Sequence, residues 1–136
     1  MRLCSNTGFN LHLIKPLGFN LDERSLKRAQ LDYQTKTKPV IFENIGSYCS
    51  SIKEENIIII TKFGKKIYTR ANYTKDSTII FGSEVHGLPK HFIKRLEKYT
   101  YKIPMIKGSR SLNLSNAVSI VSYEAWKKLN FCGEHN

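Results

Sequence analysis

Two polar clusters in this chain have the makings of a binding site. The first runs Lys107-Gly108-Ser109-Arg110-Ser111-Leu112-Asn113-Leu114-Ser115-Asn116 and opens onto a stretch, Leu114 to Trp126, whose single charge at neutral pH is Glu124. Hydroxyl and amide side chains gathered where a helix begins, beside the N–H groups that a first turn leaves unbonded, make a ready seat for a polar ligand. The second cluster is Gly82-Ser83-Glu84-Val85-His86-Gly87-Leu88-Pro89. Its two glycines have the spacing that opens a P-loop, but Leu88-Pro89 stands where that motif needs Lys and Ser/Thr, and no G-x-G-x-x-G is present, so a nucleoside triphosphate site is not expected. Glu84 would repel phosphate and instead suits ribose hydroxyls or a cationic ligand. Each cluster also has a plainer reading: a solvated loop before a core helix, and a glycine-bounded turn with Pro89 starting the next helix. The residues alone leave both readings open.

An alternation of strands and helices must position these clusters. Leu114, Val118, Val121, Ala125 and Leu129 recur at helical spacing as an apolar stripe, and Ser115, Ser119, Ser122 and Trp126 form a second, mostly small one. The expected helix is buried on two sides and exposed only past Lys127. Upstream, Phe9 to Pro16 reads as a strand, Asp22 to Gln30 as a helix with acids first and bases later, Val40-Ile41-Phe42 as a short strand and Ile45 to Glu54 as a helix. Ile57-Ile58-Ile59-Ile60 has the unbroken β-branched character of a strand buried on both faces, and Thr78-Ile79-Ile80-Phe81 reads as a second buried strand. Between them Thr61 to Asp76 is expected to be a basic loop holding Lys62, Lys65, Lys66 and Arg70. A helix from Pro89 to about Lys98 and a strand around Tyr101 to Ile103 complete the series. Such alternation predicts an α/β fold with a mainly parallel sheet and ligands beyond the carboxyl ends of the strands. There Ile60-Thr61-Lys62, Gly82 to Pro89 and Ile103-Pro104-Met105 would converge on one rim.

At 136 residues the chain is expected to form one domain, 1–136, large enough for a real core. Its 40% hydrophobic and 24% charged content is that of an ordinary soluble globule. No apolar run approaches the roughly 18 residues of a membrane span, and no basic region followed by a long apolar one marks a signal peptide. Cys4, Cys49 and Cys132 are odd in number, far apart and without ligand-spaced histidines, which reads as a reduced, cytoplasmic protein with no metal. The 22 Lys+Arg against 11 Asp+Glu, +11 net, fit either a polyanionic partner such as nucleic acid or a lysine-rich solvated surface.

Phe81 to Pro89 resembles the second motif, and Ile103 to Trp126 the third motif, of the SPOUT-class RNA 2′-O-methyltransferases. Leu3-Cys4-Ser5-Asn6-Thr7-Gly8-Phe9, Pro16-Leu17-Gly18-Phe19 and Leu31-Asp32-Tyr33 narrow the resemblance to the single-domain tRNA wobble-nucleotide (cytidine/uridine) 2′-O-methyltransferases, over essentially the whole chain. The resemblance implies a SPOUT-type α/β fold with helices on both faces of the sheet and a C-terminal trefoil knot, an exception to the general absence of knots. It implies S-adenosylmethionine as methyl donor, held by Ile60, Gly82, Ile103 and Ser111 with Thr61, Glu84, Gly87, Met105 and Leu112 close by. It further implies a tRNA substrate and a homodimer packed through the C-terminal helix, in which Trp126 and the serine stripe would be interface.

The implied chemistry is in-line attack of a ribose 2′-hydroxyl on a sulfonium methyl, in which the weakly nucleophilic hydroxyl must be oriented and its developing charge stabilised. Arg2 matches the family arginine near the target nucleotide. A guanidinium is not readily deprotonated, so a phosphate and ribose clamp suits it better than a literal general base, and a surface arginine is the plain alternative. Asn113 and Ser115 would position loop and ligand. Tyr123 matches a family tyrosine near the RNA cleft or is a buried helix tyrosine. His86 stands where the subgroup usually has arginine and reads as a loop residue or RNA contact. The family begins with a buried strand and an Asn-x-Gly loop of roughly eighteen residues ahead of the arginine's helix; here Arg2 to Thr7, closed by Gly8, reads as the last turns of that helix, so the first strand is expected to be absent. Alternatives on these residues are a non-catalytic RNA-binding dimer or inactive truncated copy, and a ribosomal RNA methyltransferase of the same fold.

Overall fold

The computed structural model describes residues 1–19 and 39–134. The expected helix at Asp22 to Gln30 and the Leu31-Asp32-Tyr33 run lie outside the described residues. The chain forms two compact units, Met1–Ser51 with Gly133–Asn136, and Ile52–Cys132.

In the first unit, helix α1 (Arg2–Thr7) ends at Gly8, whose φ of 75° is the left-handed conformation that a glycine after a helix supplies without strain. The Thr7 hydroxyl donates to the Leu3 carbonyl at 2.8 Å. Strand β1 (His12–Ile14) runs parallel to β2 (Val40–Phe42), with His12 opposite Val40. Asn44 then caps helix α2 (Ile45–Ser50), its side-chain oxygen accepting from the Ser47 N–H at 2.8 Å. The helix stops four residues short of the expected Glu54. His12, Phe42 and Tyr48 form an aromatic cluster in which His12 Nδ1 and the Tyr48 hydroxyl lie 2.7 Å apart, and partial burial lowers the His12 pKa, favouring the neutral ring.

The second unit is built on a four-stranded sheet. Its strands are β3 (Ile57–Ile60), β4 (Lys66–Ile67), β5 (Thr78–Phe81) and β6 (Thr100–Lys102), in the order β4-β6-β3-β5 with every neighbouring pair parallel. All four isoleucines of β3 are buried, as an unbroken β-branched run between two strands requires. In β5, by contrast, only Ile80 is buried; among the described residues β3 alone pairs with it, so the expectation of a second fully buried strand is corrected. The expected basic loop also holds structure: β4, and a 3-10 turn at Tyr68–Arg70. A two-residue exposed strand has neither an apolar run nor an alternation to betray it, and its position comes from backbone pairing with β6.

Helix α3 (Lys90–Arg95) is followed by a 3-10 turn at Glu97–Tyr99, so the segment expected to be one helix to Lys98 is two pieces. Helix α4 (Leu114–Lys128) keeps its apolar stripe inward, with Val121 and Ala125 buried, and Ser122 is buried beside them. The expectation of exposure only past Lys127 does not hold for the single chain: Ser115, Asn116, Ile120 and Tyr123 are exposed, the last two at 37% and 47%. One stripe finds a partner within the unit; the opposite face does not. No helix among the described residues is long and apolar enough to cross a membrane.

Candidate functional site

Because β3, β5 and β6 are parallel neighbours, the loops leaving their carboxyl ends reach the same rim, as the sequence predicts. With the start of α4 they enclose a cavity of about 580 Å³, within the ordinary range for a small-molecule site. Ile60 and Thr61 come from the end of β3, Gly82, Glu84 and Gly87 from the loop after β5, Ile103 and Met105 from beyond β6, and Ser111 and Leu112 from the approach to α4. All nine residues expected around a ligand therefore line one cavity.

Each loop is shaped by its own backbone. Thr61 continues the pairing of its strand, donating its N–H to the Tyr101 carbonyl at 2.9 Å. The loop after β5 folds back on itself: Ser83 and Gly87 bridge, with the Gly87 N–H 2.9 Å from the Ser83 carbonyl, and the Ser83 hydroxyl accepts from the His86 N–H at 3.1 Å. Gly87 has φ 66°. A Cβ on Gly82 would come within 2.5–2.7 Å of the Gly87 and Leu88 backbone, so the glycine is required by close approach of main chain to main chain. His86 is exposed and takes part in lining the cavity.

Asn113 joins two of the loops. Its side-chain oxygen caps α4, accepting from the N–H groups of Ser115 at 2.9 Å and Asn116 at 3.4 Å and from the Ser115 hydroxyl at 2.5 Å. Its amide nitrogen donates to Glu84 at 3.3 Å. Glu84 is thus tied to the head of α4 with its carboxylate in the cavity wall, the one acidic group there, while Lys62 is the one cationic side chain in the lining. Beside these polar groups the wall has an apolar part of similar extent, formed by Ile60, Phe81, Leu88, Ile93, Ile103, Leu112 and Leu114. Such a site can enclose an aromatic or aliphatic moiety and fix its orientation through backbone groups, a hydroxyl and a carboxylate.

Of the residues expected to act in catalysis, neither Asn113 nor Tyr123 is among those that line the cavity. Tyr123 is on the exposed face of α4, its ring edge-on to Trp126 at 5.7 Å, and is not buried in the helix packing. Arg2 is the first residue of α1, in the first unit, and is exposed. Phe63, Ile93 and Ala117 also line the cavity and were not expected there. Ile93 and Ala117 sit on helices whose inward faces the apolar spacing could have given, whereas Phe63 is exposed on a turn that no periodicity marks.

The model of the SpoU rRNA methylase family matches residues 1–123. The chain is 38% identical to the tRNA (cytidine(34)-2′-O)-methyltransferase of Escherichia coli K12 over 134 residues, covering 98% of this chain and 85% of that one. A solved structure described as "Structural insights into the 2-OH methylation of C/U34 on tRNA" superposes with a TM-score of 0.81 at 33% identity, covering 95% of this chain and 84% of the other. The fold extends to the SpoU methyltransferase AviRb of Streptomyces viridochromogenes in complex with AdoMet, with a TM-score of 0.76 at 21% identity, 95% of this chain and 53% of that one.

Proposed function

The chain belongs to the SpoU rRNA methylase family, and from that premise we propose that it is a cytoplasmic, S-adenosylmethionine-dependent tRNA methyltransferase that modifies the 2′-hydroxyl of wobble nucleotide 34, cytidine or uridine. The observation that carries the reading is the meeting of the nine residues that the resemblance implies, Ile60 to Leu112, on one cavity at the ends of three parallel strands. The matched relative acts at position 34 by its name, and this chain shares its sequence over nearly all its length. The family model spans both compact units, which supports a single catalytic domain.

The residues fit the donor. Backbone groups at Gly82, Gly87 and Ile103 can hold a purine edge, the apolar wall can enclose its faces, and the Glu84 carboxylate suits ribose hydroxyls or a cationic centre. Bound there, S-adenosylmethionine supplies an electrophilic methyl on a sulfonium. Asn113 keeps Glu84 and the α4 head in register, so the loops are set before the ligand arrives and less ordering free energy is lost on binding. Arg2 clamps the phosphate and ribose of the target nucleotide, orienting the 2′-oxygen and stabilising its charge as the proton leaves to solvent. The new C–O bond forms as the C–S bond breaks.

We assign the exposed face of α4 and the turn after it to a homodimer interface: Ile120 and Tyr123 on the helix and Phe131 beyond it expose 37–47% of their surface, and a second copy would bury them. Labelled-methyl transfer to bulk tRNA with mapping of the modified nucleotide tests the activity, and sedimentation tests the dimer. Transfer to nucleotide 34 is expected. A folded protein that binds donor and tRNA and transfers to neither tRNA nor ribosomal RNA would favour an RNA-binding dimer instead.

A further inference from the structure

We infer that Phe63, with Lys62 leaning over its ring, is the platform on which a base of the RNA substrate stacks at the mouth of the cavity. The inference rests on the tRNA methyltransferase reading above and adds to it a residue that sets RNA affinity. Phe63 lines the cavity but leaves 65% of its surface in water, while Ile60, three residues earlier, exposes 8%.

The backbone holds the ring out. The Gly64 N–H donates to the Thr61 carbonyl at 3.0 Å, closing a tight turn, and the Phe63 N–H reaches the Thr61 hydroxyl at 3.4 Å. Gly64 lies so close to the Tyr101–Lys102 backbone that a Cβ there would collide with it, and the Lys65 N–H bonds the Thr100 hydroxyl at 3.4 Å. A turn pinned on both sides presents Phe63 as a fixed face. Scattered surface apolar groups are normal, but an aromatic ring fixed at the mouth of a site, with a cation beside it, matches what unstacked nucleobases recognise.

Charge selects the occupant. Lys62 Nζ is 5.2 Å from the Phe63 centroid and forms no salt bridge among the described residues, whereas Lys65 pairs with Glu97 at 3.1 Å. Its ammonium can meet a phosphate next to a stacked base, and it would repel a cationic sulfonium. The donor's adenine belongs with the enclosed apolar wall; a ring two-thirds in water, on a chain carrying +11, faces a polyanion arriving from solvent.

The test measures the affinity of unfractionated tRNA in the presence of S-adenosylhomocysteine, and separately the affinity for S-adenosylhomocysteine alone by calorimetry. Phe63→Ala should weaken tRNA binding about thirtyfold, the middle of the range for loss of one base–aromatic stack, with S-adenosylhomocysteine affinity unchanged. Phe63→Trp should restore RNA affinity, and its added fluorescence should be quenched by tRNA and not by S-adenosylhomocysteine. Lys62→Gln should lower the slope of log affinity against log salt by about one. Unchanged tRNA affinity in Phe63→Ala, a loss confined to S-adenosylhomocysteine, or wild-type protein that binds no tRNA would overturn the inference. These affinities are read without turnover, so absence of methyl transfer would strike the enzyme assignment separately.

Discussion

Ile59 and Ile41 both stand in the middle of short parallel strands, yet Ile59 is 0% exposed and Ile41 45%. The difference is one of neighbours: β3 has β5 and β6 on its two sides, whereas among the described residues β1 and β2 pair only with each other. Among the described residues, Tyr48 and Cys49 are the buried apolar side chains of the first unit, and the rest of the apolar core belongs to the second. Two-stranded sheets are marginal by themselves, and a central strand covered on both faces is where folding free energy concentrates. The cavity loops therefore hang from the sheet that holds most of the buried apolar side chains among the described residues. Arg2, the residue assigned to the nucleotide's phosphate, rides on a six-residue helix with no side-chain cap at its start. On the proposed reading, donor binding and substrate clamping draw on regions of unequal packing, and they should respond differently to mutation.

The largest effect expected is on stability. Ile59→Ala removes buried methyl and methylene groups where nothing can collapse to fill the gap, and should lower the unfolding free energy by about 2–5 kcal/mol. Ile41→Ala, half in water, should cost about 1 kcal/mol or less. Urea unfolding of both variants decides the matter; equal losses would break the comparison. Next in size is Arg2→Ala. A charge-assisted hydrogen bond is worth about 1.5–3 kcal/mol, so turnover should fall roughly ten- to hundredfold while calorimetry finds S-adenosylhomocysteine affinity unchanged. A matching loss of donor affinity would tie Arg2 to the cavity and not to the nucleotide.

What the sequence made legible follows the same division. The four isoleucines of β3 announce a central strand because burial on both faces demands such a run, and the strand's parallel partners then dictate where loops must meet. The Gly82–Pro89 and Ile103–Trp126 motifs could be placed residue by residue because loops that approach a ligand through backbone tolerate few residue types. β4 was missed because Lys66–Ile67 is held by main-chain bonds to β6, which leave no mark on side-chain choice. The exposed face of α4 was misjudged for the opposite reason: a helix almost without charge reads as doubly buried, and the single chain covers only one of its sides. Phe63 escaped notice because a lone aromatic among lysines carries no period, and its significance depends on the turn that Gly64 makes against Tyr101.

Gly82→Val sharpens the comparison within the better-packed unit. Its side chain would meet the Gly87–Leu88 backbone, so the loop must shift whether or not ligand is present. Overpacking of this kind costs about 1–3 kcal/mol, which should appear as a roughly five- to hundredfold loss of S-adenosylhomocysteine affinity with the unfolding midpoint lowered as well. Weakened binding in a protein of unchanged stability would show that the side chain merely occupies ligand space and that the loop is softer than its bonds imply.

The smallest effect expected, and the most specific, concerns Asn113. Asn113→Ala removes the α4 cap, about 1 kcal/mol of stability, together with the bond to Glu84. Asn113→Asp separates the two roles, because aspartate caps a helix as well as asparagine does but offers oxygen where the amide nitrogen now donates to a carboxylate. It should retain the stability of the parent and still lose donor affinity, by about fivefold if the lost bond is worth roughly 1 kcal/mol. Glu84→Gln in the Asn113→Asp background gives the new oxygen an amide donor to accept from, and the interaction energy between the two sites should then be measurable as non-additivity of binding. Strict additivity would mean that Asn113 acts on the helix alone, and that the glycine loop after β5 holds Glu84 in place without help from α4.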